Sequence, residues 1–397
     1  MRIGIVLSRT PGYSETFFNS KIKGLLANGI DVRLYCQAES ENFKACPVIL
    51  SPKVSRNPFL QLWYFIKTFI LLLPHLQTVL RYIKLESKEG TGFLQLFKNI
   101  YLNAHLLKAK LDWLHFGFAT QALGSEAVAK AIGAKMAVSF RGFDINVYPT
   151  KHPNCYLKLW RYLDKVHSIS HYLLNKAVGL GLSIETPFAI ITPAVKLNTF
   201  PKTLAHPTSE TLKIITIARL NWIKGLDVAI AAMHILKKEG VKFTYHIIGE
   251  GDKRQTERYK FMVYELDLKE EVIFCGKRSH QETLEQLSKA YLYIQPSLNE
   301  GFCNAVLEAQ AMGKLTIASN VGGLPENILD GKTGWLFESQ SPEALVQTIQ
   351  KVMVLSFEQK EIISHSAQKR IKAAFNIEKQ QIEFVRFYEK KSLLYRC

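Results

Sequence analysis

Long hydrophobic runs are scarce in this chain of 397 residues. Its most apolar segment, residues 59–83, is interrupted by Lys67 and broken by Pro74, and Arg81 lies near its end. A transmembrane helix needs about 20 mostly apolar residues, so this segment does not predict one. Residues 2–7 are too short for the apolar core of a signal peptide and predict a first β-strand. We therefore expect neither a membrane-spanning nor a secretory segment.

Cysteine is also sparse, and none of the six cysteines is spaced as a C-x-x-C pair. Disulfide frameworks and zinc sites are typical of chains with closely patterned cysteines. The sequence also lacks an Asp-x-Asp motif and a cluster of His and Asp at metal-ligand spacing. We therefore expect reduced thiols, a cytoplasmic protein, no metal site and no other cofactor. The cysteines are Cys36, Cys46, Cys155, Cys275, Cys303 and Cys397.

Acidic residues are too few to balance the basic ones, and the formal net charge is +17. The excess is uneven, since residues 1–200 contain 24 Lys and Arg against 11 Asp and Glu, whereas residues 201–397 contain 27 against 23. A basic N-terminal half indicates a polyanionic partner, either acidic lipid headgroups or nucleic acid. Because no nucleic-acid-binding motif is present, we expect no nucleic acid among the partners.

Short β-branched runs alternate with helical patterns in the second half of the chain. This alternation predicts an α/β fold with a parallel, doubly wound sheet. In the first half, the strand at residues 2–7 runs through a Pro-Gly turn into a helix, which is half of a βαβ unit. The length suits two domains. The strands predicted in the second half are residues 212–217, 243–248, 272–274, 291–294 and 315–317.

Two carboxylates eight positions apart, Glu300 and Glu308, mark the stretch 296–313. The stretch predicts a strand end, a turn and then a helix that is closed by Gly313. Glu308 lies within this helix among apolar residues, where an unpaired carboxylate would lose its solvation, so it needs hydrogen-bond donors. The helix start after Gly301 offers free N–H groups to an anion, and sugar or ribose hydroxyls are suitable donors to Glu308. The spacing alone also fits an amphipathic helix with a solvated glutamate.

Further motifs surround this stretch. Arg219 and Lys224 precede it, and glycine-containing turns follow at residues 321–326 and 330–334. In this order and spacing the motifs resemble the nucleotide-sugar half of glycosyltransferase family 4, which has a Glu-x7-Glu pair and an upstream Arg and Lys. The resemblance covers nearly the whole chain and is strongest over residues 214–334. It implies a GT-B fold, in which two Rossmann-like domains of doubly wound parallel sheets face a cleft.

The resemblance also implies a division of the chain. Residues 1–200 would form an N-terminal acceptor-binding domain, with a helical, apolar and basic segment at 53–110. Residues 201–376 would form the nucleotide-sugar-binding domain, beginning with a polar linker at 202–209. Residues 377–397 would form a C-terminal helix that packs back on the first domain.

The implied reaction is the retaining transfer of a hexosyl group from a nucleoside diphosphate sugar, without a metal, to a lipid-linked or other oligosaccharide acceptor. Such a step belongs to cell-surface polysaccharide biosynthesis. Arg219 and Lys224 would bind the diphosphate, Glu300 the donor sugar and Glu308 the ribose. The further donor-side candidates are Gly12, Lys277, Arg278, Gly301, Phe302 and Cys303.

In the N-terminal half, the sequence departs from the family pattern. The turn after residues 137–140 usually reads His-Gly-x-Asp in that family, but this chain has Arg141 in place of the histidine, while Asp144 matches. Either Arg141 or His115, at the end of another predicted strand, would take over the hydrogen bonding near the transferred sugar. Asp144 and Ser14, a candidate N-cap, are the predicted acceptor-side residues.

Segment 59–83 has two interpretations. It is either a helical hairpin buried against the N-terminal domain or an interfacial element whose aromatic residues 63–65 enter a headgroup layer. Residues 53–110 contain nine Lys or Arg and two Glu. This basic surrounding is suited to an anionic membrane and to a peripheral location on the inner face of the cytoplasmic membrane.

Two other classes of function fit part of the sequence. A carbohydrate-active hydrolase or epimerase would use Glu300 and Glu308 as acid and base. Hydrolase carboxylates flank one glycosidic bond, however, whereas Glu308 lies in an apolar helix beside a predicted phosphate site. A non-catalytic basic binding protein would explain the charge, but Arg219 and Lys224 beside the two glutamates argue against it.

Overall fold

The chain forms two units. The computed structural model describes residues 1–12, 16–40, 43–197, 200 and 211–389. The first unit comprises Met1–Thr192 and the chain from Gln380, and the second comprises Pro193–Lys379. The predicted linker at 202–209 and the candidate N-cap Ser14 lie outside the described residues.

Seven parallel strands form the sheet of the first unit within the described ranges. Their bounds are β1 (Arg2–Arg9), β2 (Asp31–Ala38), β3 (Val48–Leu50), β4 (Trp113–Phe116), β5 (Lys135–Phe140), β6 (Lys165–Ser168) and β7 (Phe188–Ile190). The order β3-β2-β1-β4-β5-β6-β7 places the reversal of sheet growth between β1 and β4. The central strands β1, β4, β5 and β6 are mostly buried, as parallel strands covered on both faces must be, and Ile3 and Ile5 have no exposed surface. The edge strands β3 and β7 are only partly buried.

Helices connect these strands. They are α1 (Thr16–Ala27), α2 (Pro58–Ile70), α3 (Leu76–Lys88), α4 (Phe93–Leu107), α5 (Val128–Ile132), α6 (Phe143–Asn146), α7 (Tyr148–Lys151), α8 (Leu157–Tyr162) and α9 (His171–Gly179). Asn57 caps α2 by accepting from the backbone N–H groups of Phe59 and Leu60, and Pro58 occupies its first turn. The hairpin predicted at 59–83 is therefore helical, with its break at the 3₁₀ turn Leu73–His75.

Helix α2 contains no buried residue, so this half of the hairpin is not part of the core. Helix α3 in contrast buries Val79, Tyr82 and Glu86. Across the described ranges, no single helix has the length and apolar character that a membrane span requires. The helices Pro58–Ile70 and Leu73–Lys88 meet that requirement only as a pair, bent by 48°.

The second unit contains a parallel sheet that has six strands in the part of the chain that the structure describes. Its strands are β8 (Leu212–Ile217), β9 (Phe243–Ile248), β10 (Val272–Gly276), β11 (Leu292–Gln295), β12 (Leu315–Ser319) and β13 (Trp335–Phe337). The order is β10-β9-β8-β11-β12-β13, which places the reversal between β8 and β11. Both sheets are doubly wound, and the predicted fold class is confirmed.

The helices of the second unit are α10 (Leu226–Lys238), α11 (Lys253–Glu265), α12 (His280–Ser288), α13 (Asn304–Ala311), α14 (Leu324–Asn327), α15 (Pro342–Met353) and α16 (Phe357–Ala374). Helix α12 begins with a capping box in which Ser279 and Glu282 satisfy each other's backbone N–H groups. Helix α13 ends before Gly313, whose φ of 69° is the left-handed conformation that a helix stop requires.

The last helix, α17 (Ile377–Glu389), belongs to the first unit from Gln380 onward. Gln380 donates a hydrogen bond to the carbonyl of Thr192 at 2.7 Å. Phe384 is fully buried and contacts Phe17 of α1, with ring centroids 5.4 Å apart. The helix thus completes the core of the first unit.

Candidate functional site

The charged candidates of the second unit follow strands at the reversal of its sheet. Arg219 and Lys224 come after β8, and Glu300 comes after β11, the neighbouring strand on the other side of the reversal. In doubly wound sheets, ligands bind outside the carboxyl ends of the strands at this point. The structure therefore collects three of the predicted residues at the position where a ligand crevice is expected.

Lys224 and Glu300 form a close ion pair. The Lys224 Nζ donates to Glu300 Oε1 at 2.9 Å and to Oε2 at 2.6 Å. Only 16% of the Lys224 side chain and 12% of the Glu300 side chain are exposed, so water screens the pair little. An ammonium group has three donors, and this pair uses two of them. The third donor is left for an anion.

Backbone contacts hold the two loops together. The N–H of Leu298 donates to the carbonyl of Ile223 at 2.9 Å. Gly225 has a φ of 61°, and a Cβ at this position would lie 2.0 Å from the carbonyl oxygen of Pro296. Only glycine fits there, because the position combines a left-handed backbone with a backbone contact. The Lys-Gly sequence at 224–225 therefore both supplies the ammonium group and allows the close approach of the β11 loop.

The glycine-containing motif at 321–326 supports the Glu300 turn from the other side. The N–H of Gly323 donates to the carbonyl of Glu300 at 2.8 Å. Gly322 has a φ of 58°, and a Cβ there would lie 2.2 Å from the same carbonyl oxygen. Any side chain at 322 would push Glu300 out of position.

Arg219 is exposed and takes part in no hydrogen bond or ion pair among the described residues. Its loop is fixed by the N–H of Leu220, which donates to the carbonyl of Glu250 at 3.0 Å. An anchored backbone with an uncommitted guanidinium group is suited to bidentate binding of a phosphate.

Glu308, in helix α13, has a basic partner that the sequence predictions missed. The Nε2 atom of His280 lies 2.8 Å from Glu308 Oε1. The Glu308 carboxylate raises the pKa of His280 through this hydrogen bond. The need of Glu308 for a donor is thus met by the first residue of α12. The capping box at 279–282 was the available signal, because it places a helix start directly after β10.

Phe302 and Cys303 are buried parts of the turn into α13. Asn327 accepts from the N–H of Cys303 at 3.0 Å and donates to its carbonyl at 3.1 Å. Burial raises the pKa of the Cys303 thiol to about 12, so the thiol stays protonated. Phe302 lies against Phe375, with ring centroids 5.7 Å apart. The side chains of both candidates therefore pack inward.

Lys277 and Arg278 follow β10 and are exposed. Lys277 forms an ion pair with Glu250 at 3.1 Å, in which the side chains are 75% and 61% exposed. Exposed pairs of this kind contribute little to stability and are easily exchanged for another partner. The two residues flank the His280 end of the site.

His115 of the first unit lies in a buried polar network. Its ring nitrogens contact the hydroxyl of Tyr388 at 2.6 Å, the hydroxyl of Ser139 at 2.8 Å and the Nζ of Lys21 at 3.2 Å. The Ser139 hydroxyl in turn lies 2.7 Å from His167 Nδ1. Burial holds the pKa of both histidines well below its usual value. His115 is fully buried, with its hydrogen bonds made inside the fold.

Arg141, Gly12 and Asp144 lie near strand ends of the first unit. The Arg141 guanidinium lies over the ring of Phe17, 3.8 Å from its centroid. Asp144 is fully buried and accepts from the backbone N–H groups of Arg141 at 3.1 Å and Gly142 at 2.9 Å. Burial raises the pKa of Asp144. Gly12 accepts from the side-chain amide of Asn19 at 3.3 Å. Asp144 thus organises the turn that carries Arg141.

Comparison with known proteins agrees with this geometry. The family model described as "Glycosyl transferases group 1" matches residues 201–370. This match covers less than half of the chain. The resemblance indicated by the Arg, Lys and Glu motifs is therefore confirmed for the part of the chain that carries them.

Two curated relatives are glycosyltransferases of exopolysaccharide synthesis. The amylovoran biosynthesis glycosyltransferase AmsK of Erwinia amylovora is 29% identical over 245 residues, or 60% of either protein. The putative colanic acid biosynthesis glycosyltransferase WcaL of Escherichia coli K12 is 29% identical over 272 residues, or 66% of either protein. The matches thus span less than two thirds of the length of these relatives.

A solved structure is similar in fold to this chain over nearly its full length. Anabaena Alr3699/HepE, in complex with UDP-glucose, is 15% identical and has a TM-score of 0.72, covering 97% of this chain and 98% of that one. At this identity the likeness concerns the fold alone, and it confirms the predicted GT-B class.

Proposed function

We propose that this protein transfers a sugar from a nucleoside diphosphate sugar to a saccharide acceptor in the synthesis of a cell-surface polysaccharide. The observation that carries the proposal is the Lys224–Glu300 pair at the reversal of the second sheet, with the exposed Arg219 in the same loop after β8 as Lys224. Two cations in one loop, one of them bound to a carboxylate, suit a ligand that is anionic at one end and rich in hydroxyls at the other. The names of the group 1 relatives support the same activity.

The reaction would proceed as follows. The acceptor hydroxyl oxygen forms a bond to the anomeric carbon of the donor sugar, and the bond from that carbon to the β-phosphate oxygen breaks. The bonding electrons leave with the diphosphate, which takes up the proton of the acceptor hydroxyl. Negative charge thus builds on the diphosphate in the transition state, where Lys224 and Arg219 would stabilise it. Attack from the side of the leaving group retains the anomeric configuration.

Glu300 and Glu308 would bind the neutral parts of the donor. Hydroxyl groups donate to carboxylates, and the spacing of the two residues puts Glu300 in the turn and Glu308 inside α13. We assign Glu300 to the sugar and Glu308 to the ribose. Lys277 and Arg278, exposed beyond His280, would lie around the base.

The alternative of a hydrolase or epimerase is not favoured. Acid–base catalysis by two carboxyl groups requires that one of them stays protonated so that it can act as the general acid. Such a group lies in apolar surroundings without a neighbouring cation. Here Glu300 is bound by Lys224 at 2.6 Å and Glu308 by His280 at 2.8 Å. Each carboxylate thus has a basic hydrogen-bond partner, and its oxygens can also accept from hydroxyl groups.

For the acceptor side we propose Arg141 in place of the usual histidine. Arg141 is partly exposed after β5, whereas His115 has no exposed surface. Asp144 would act indirectly, through the turn that it organises.

We further propose that the first unit binds the inner face of the cytoplasmic membrane and there receives a lipid-linked acceptor. Helix α2 and the start of α4 support this, because they expose large apolar side chains to solvent. The exposed fractions are 83% for Phe59, 60% for Trp63, 72% for Phe93 and 76% for Leu94. A patch of this kind, with basic neighbours, is typical of interfacial binding.

The test begins with binding. Thermal unfolding would be followed with UDP, GDP, UDP-glucose and GDP-mannose, because a ligand that binds only the folded state raises the melting temperature. Release of nucleoside diphosphate would then be measured for Lys224→Ala and Arg219→Ala. We expect each variant to lose about 100- to 1000-fold in rate, since each loses charge stabilisation of the leaving group.

Lys351→Ala is the matched control, because Lys351 is an exposed lysine of the same unit on α15. It should keep the full rate. Near-normal turnover in Lys224→Ala or Arg219→Ala, with the fold intact by circular dichroism, would show that neither cation binds the diphosphate. A protein that none of the four nucleotides stabilises would not be a nucleotide-sugar transferase of this kind.

A further inference from the structure

The contact between His280 and Glu308 has a consequence for donor binding. We assign Glu308 to the ribose. Its Oε1 atom, however, already lies at hydrogen-bond distance, 2.8 Å, from Nε2 of the His280 imidazole. The two side chains come from different elements, α12 and α13, and meet at the carboxyl edge of the sheet. The imidazole therefore occupies an oxygen that a ribose hydroxyl would use.

The exposed fractions indicate which group lies nearer to solvent. The His280 side chain is 44% exposed, whereas that of Glu308 is 18% exposed. A ligand that approaches Glu308 from solvent therefore meets the imidazole first. Glu300, the first carboxylate of the Glu-x7-Glu motif, forms an ion pair with Lys224. In the free protein both ends of the Glu-x7-Glu motif thus have a basic side chain as partner.

We propose that His280 competes with the ribose of the donor for Glu308, so that nucleotide binding weakens when His280 takes up a proton. The proposal rests on the assignment of Glu308 to the ribose. A protonated imidazole forms a charge-assisted hydrogen bond to the carboxylate, whereas a neutral one forms a weaker bond that hydroxyl groups displace more easily. A ribose that takes the carboxylate would then release a proton from His280.

The other charged groups near the pair do not change charge between about pH 5.5 and 8. On the His280 side, Glu282 stays ionised because hydrogen bonds from Ser279 lower its pKa. On the Glu308 side, burial raises the pKa of Tyr293 well above its usual value, so Tyr293 stays neutral. Cys303, with a pKa of about 12, also stays neutral. His280, whose pKa is raised by Glu308, is thus the group that titrates in this range.

The sign and size of the effect follow. Above the pKa of His280 the imidazole is neutral and the donor binds more tightly; below it the competing ion pair is at full strength. A partly exposed ion pair is worth a fraction of a kcal/mol to about 1 kcal/mol, so we expect affinity to differ roughly two- to fivefold between about pH 8 and 5.5.

The experiment is calorimetric titration with UDP-glucose and GDP-mannose. Their pyrophosphate diesters do not titrate in this range, so a change of affinity reports the protein. His280→Ala and His280→Gln remove the titrating group, and the glutamine can still donate to Glu308. We expect both variants to lose the pH dependence and to bind at about pH 5.5 as the wild type binds at about pH 8. His365→Ala, an exposed histidine of α16, is the matched control and should keep the wild-type profile.

The outcomes separate this inference from the proposed function. Binding that does not change with pH, that is tighter at low pH, or whose pH profile survives in both His280 variants overturns the competition alone. Absence of binding by either sugar nucleotide at every pH overturns the donor-binding proposal, and the competition with it. Proton release on binding, measured in buffers of different ionisation enthalpy and lost in His280→Gln, supports the competition directly.

Discussion

The burial of Lys21 could not be predicted from the residues that surround it in the sequence. It lies on α1, is fully buried, and has its Nζ 3.2 Å from His115 and 4.8 Å above the ring of Phe384. No carboxylate contacts it within the described residues. In the sequence it occupies an ordinary position in an amphipathic helix. Its burial depends on α17, which is more than 350 positions away, and so could not be predicted from the helix itself.

Burial gives Lys21 a measurable effect on stability. It lowers the pKa of Lys21 well below the usual value, so the folded protein keeps the amine neutral to a lower pH than the unfolded chain does. The unfolded state therefore binds more protons below about pH 10, and stability falls as the pH falls, by about 1.4 kcal/mol per pH unit while Lys21 stays neutral. His115 and His167 add a similar loss below about pH 6.5, because burial lowers the pKa of each.

Lys21→Met removes this titration at nearly constant volume. We expect the variant to be at least as stable as the wild type at neutral pH and to lose less stability between about pH 9 and 7. Urea denaturation over this range is the measurement. Lys23→Met, at an exposed lysine of the same helix, is the control and should follow the wild type. An unchanged slope in Lys21→Met would mean that the buried amine is charged.

Some residues of the candidate site could be predicted from local sequence motifs, and others depend on distant contacts. Arg219, Lys224 and Glu300 could be predicted because the motifs that surround them are local, and the structure collects them at one sheet edge. For His280, the capping box signals a helix start at 279–282 but does not identify the partner Glu308, which is 28 positions later on another helix. His115 was predicted as a candidate from its place at a strand end, but its side-chain partners come from α1, β5 and α17.

Among the secondary-structure elements, strands were predicted better than the surface helices. The predicted ranges 212–217 and 243–248 agree with β8 and β9, and the helix predicted to be closed by Gly313 is α13, Asn304–Ala311. The apolar pattern of these elements is strong, because the strands are buried on both faces and the helix is buried along one side. The spacing of apolar residues in segment 59–83 does not distinguish a buried helical hairpin from an exposed one. Burial depends on which other elements pack against the hairpin.

Helix α3 is the inner half of that segment and is anchored by a buried ion pair. Glu86 has no exposed surface, and its two oxygens lie 2.8 and 2.9 Å from the Nζ of Lys158 on α8. Thr91 donates to the same carboxylate at 2.7 Å. Removing one partner of a buried pair leaves a charge without compensation.

We therefore expect Lys158→Met to lower the free energy of unfolding by about 3 kcal/mol or more. Arg161→Met is the matched control, because Arg161 pairs with Glu89 at the surface of the same helix and should cost less than about 1 kcal/mol. The double variant Glu86→Leu with Lys158→Met should recover most of the loss. Urea denaturation measures all three. Equal effects of Lys158→Met and Arg161→Met would show that the buried pair does not hold α3.

Across the whole molecule, the two ion pairs of α3 also affect surface charge. The acidic residues of segment 53–110 are Glu86 and Glu89, and both are bound by basic side chains of α8. Lys67, Arg81 and Lys84 are exposed and form no ion pair in the described part of the chain. The segment that contains α2 and α3 thus has exposed basic side chains without acidic partners. Residues 53–110, with nine Lys or Arg against two Glu, contribute +7 to the +13 that 24 basic and 11 acidic residues give residues 1–200.

This arrangement predicts reversible binding to anionic membranes. Each basic residue near an anionic surface is worth about 1 kcal/mol, and inserted aromatic side chains add to it, so a few of each are enough without a transmembrane segment. We expect the protein to sediment with vesicles that contain phosphatidylglycerol and not with pure phosphatidylcholine. Because the attraction is between exposed charges, salt should weaken it.

The structure indicates which side chains to change in the vesicle experiment. Phe65 stacks on Tyr101 with ring centroids 5.2 Å apart and holds α2 to α4, so its loss would disturb the fold. Phe59, Trp63 and Leu94 are largely exposed, and their joint replacement by Ser should abolish sedimentation while leaving the melting temperature unchanged. Phe261→Ser, at a side chain of the second unit that is 64% exposed, is the control and should bind as the wild type does. If the wild type fails to bind phosphatidylglycerol vesicles at low salt, or if the triple variant binds as well as the wild type, then the apolar face of α2 does not contact lipid.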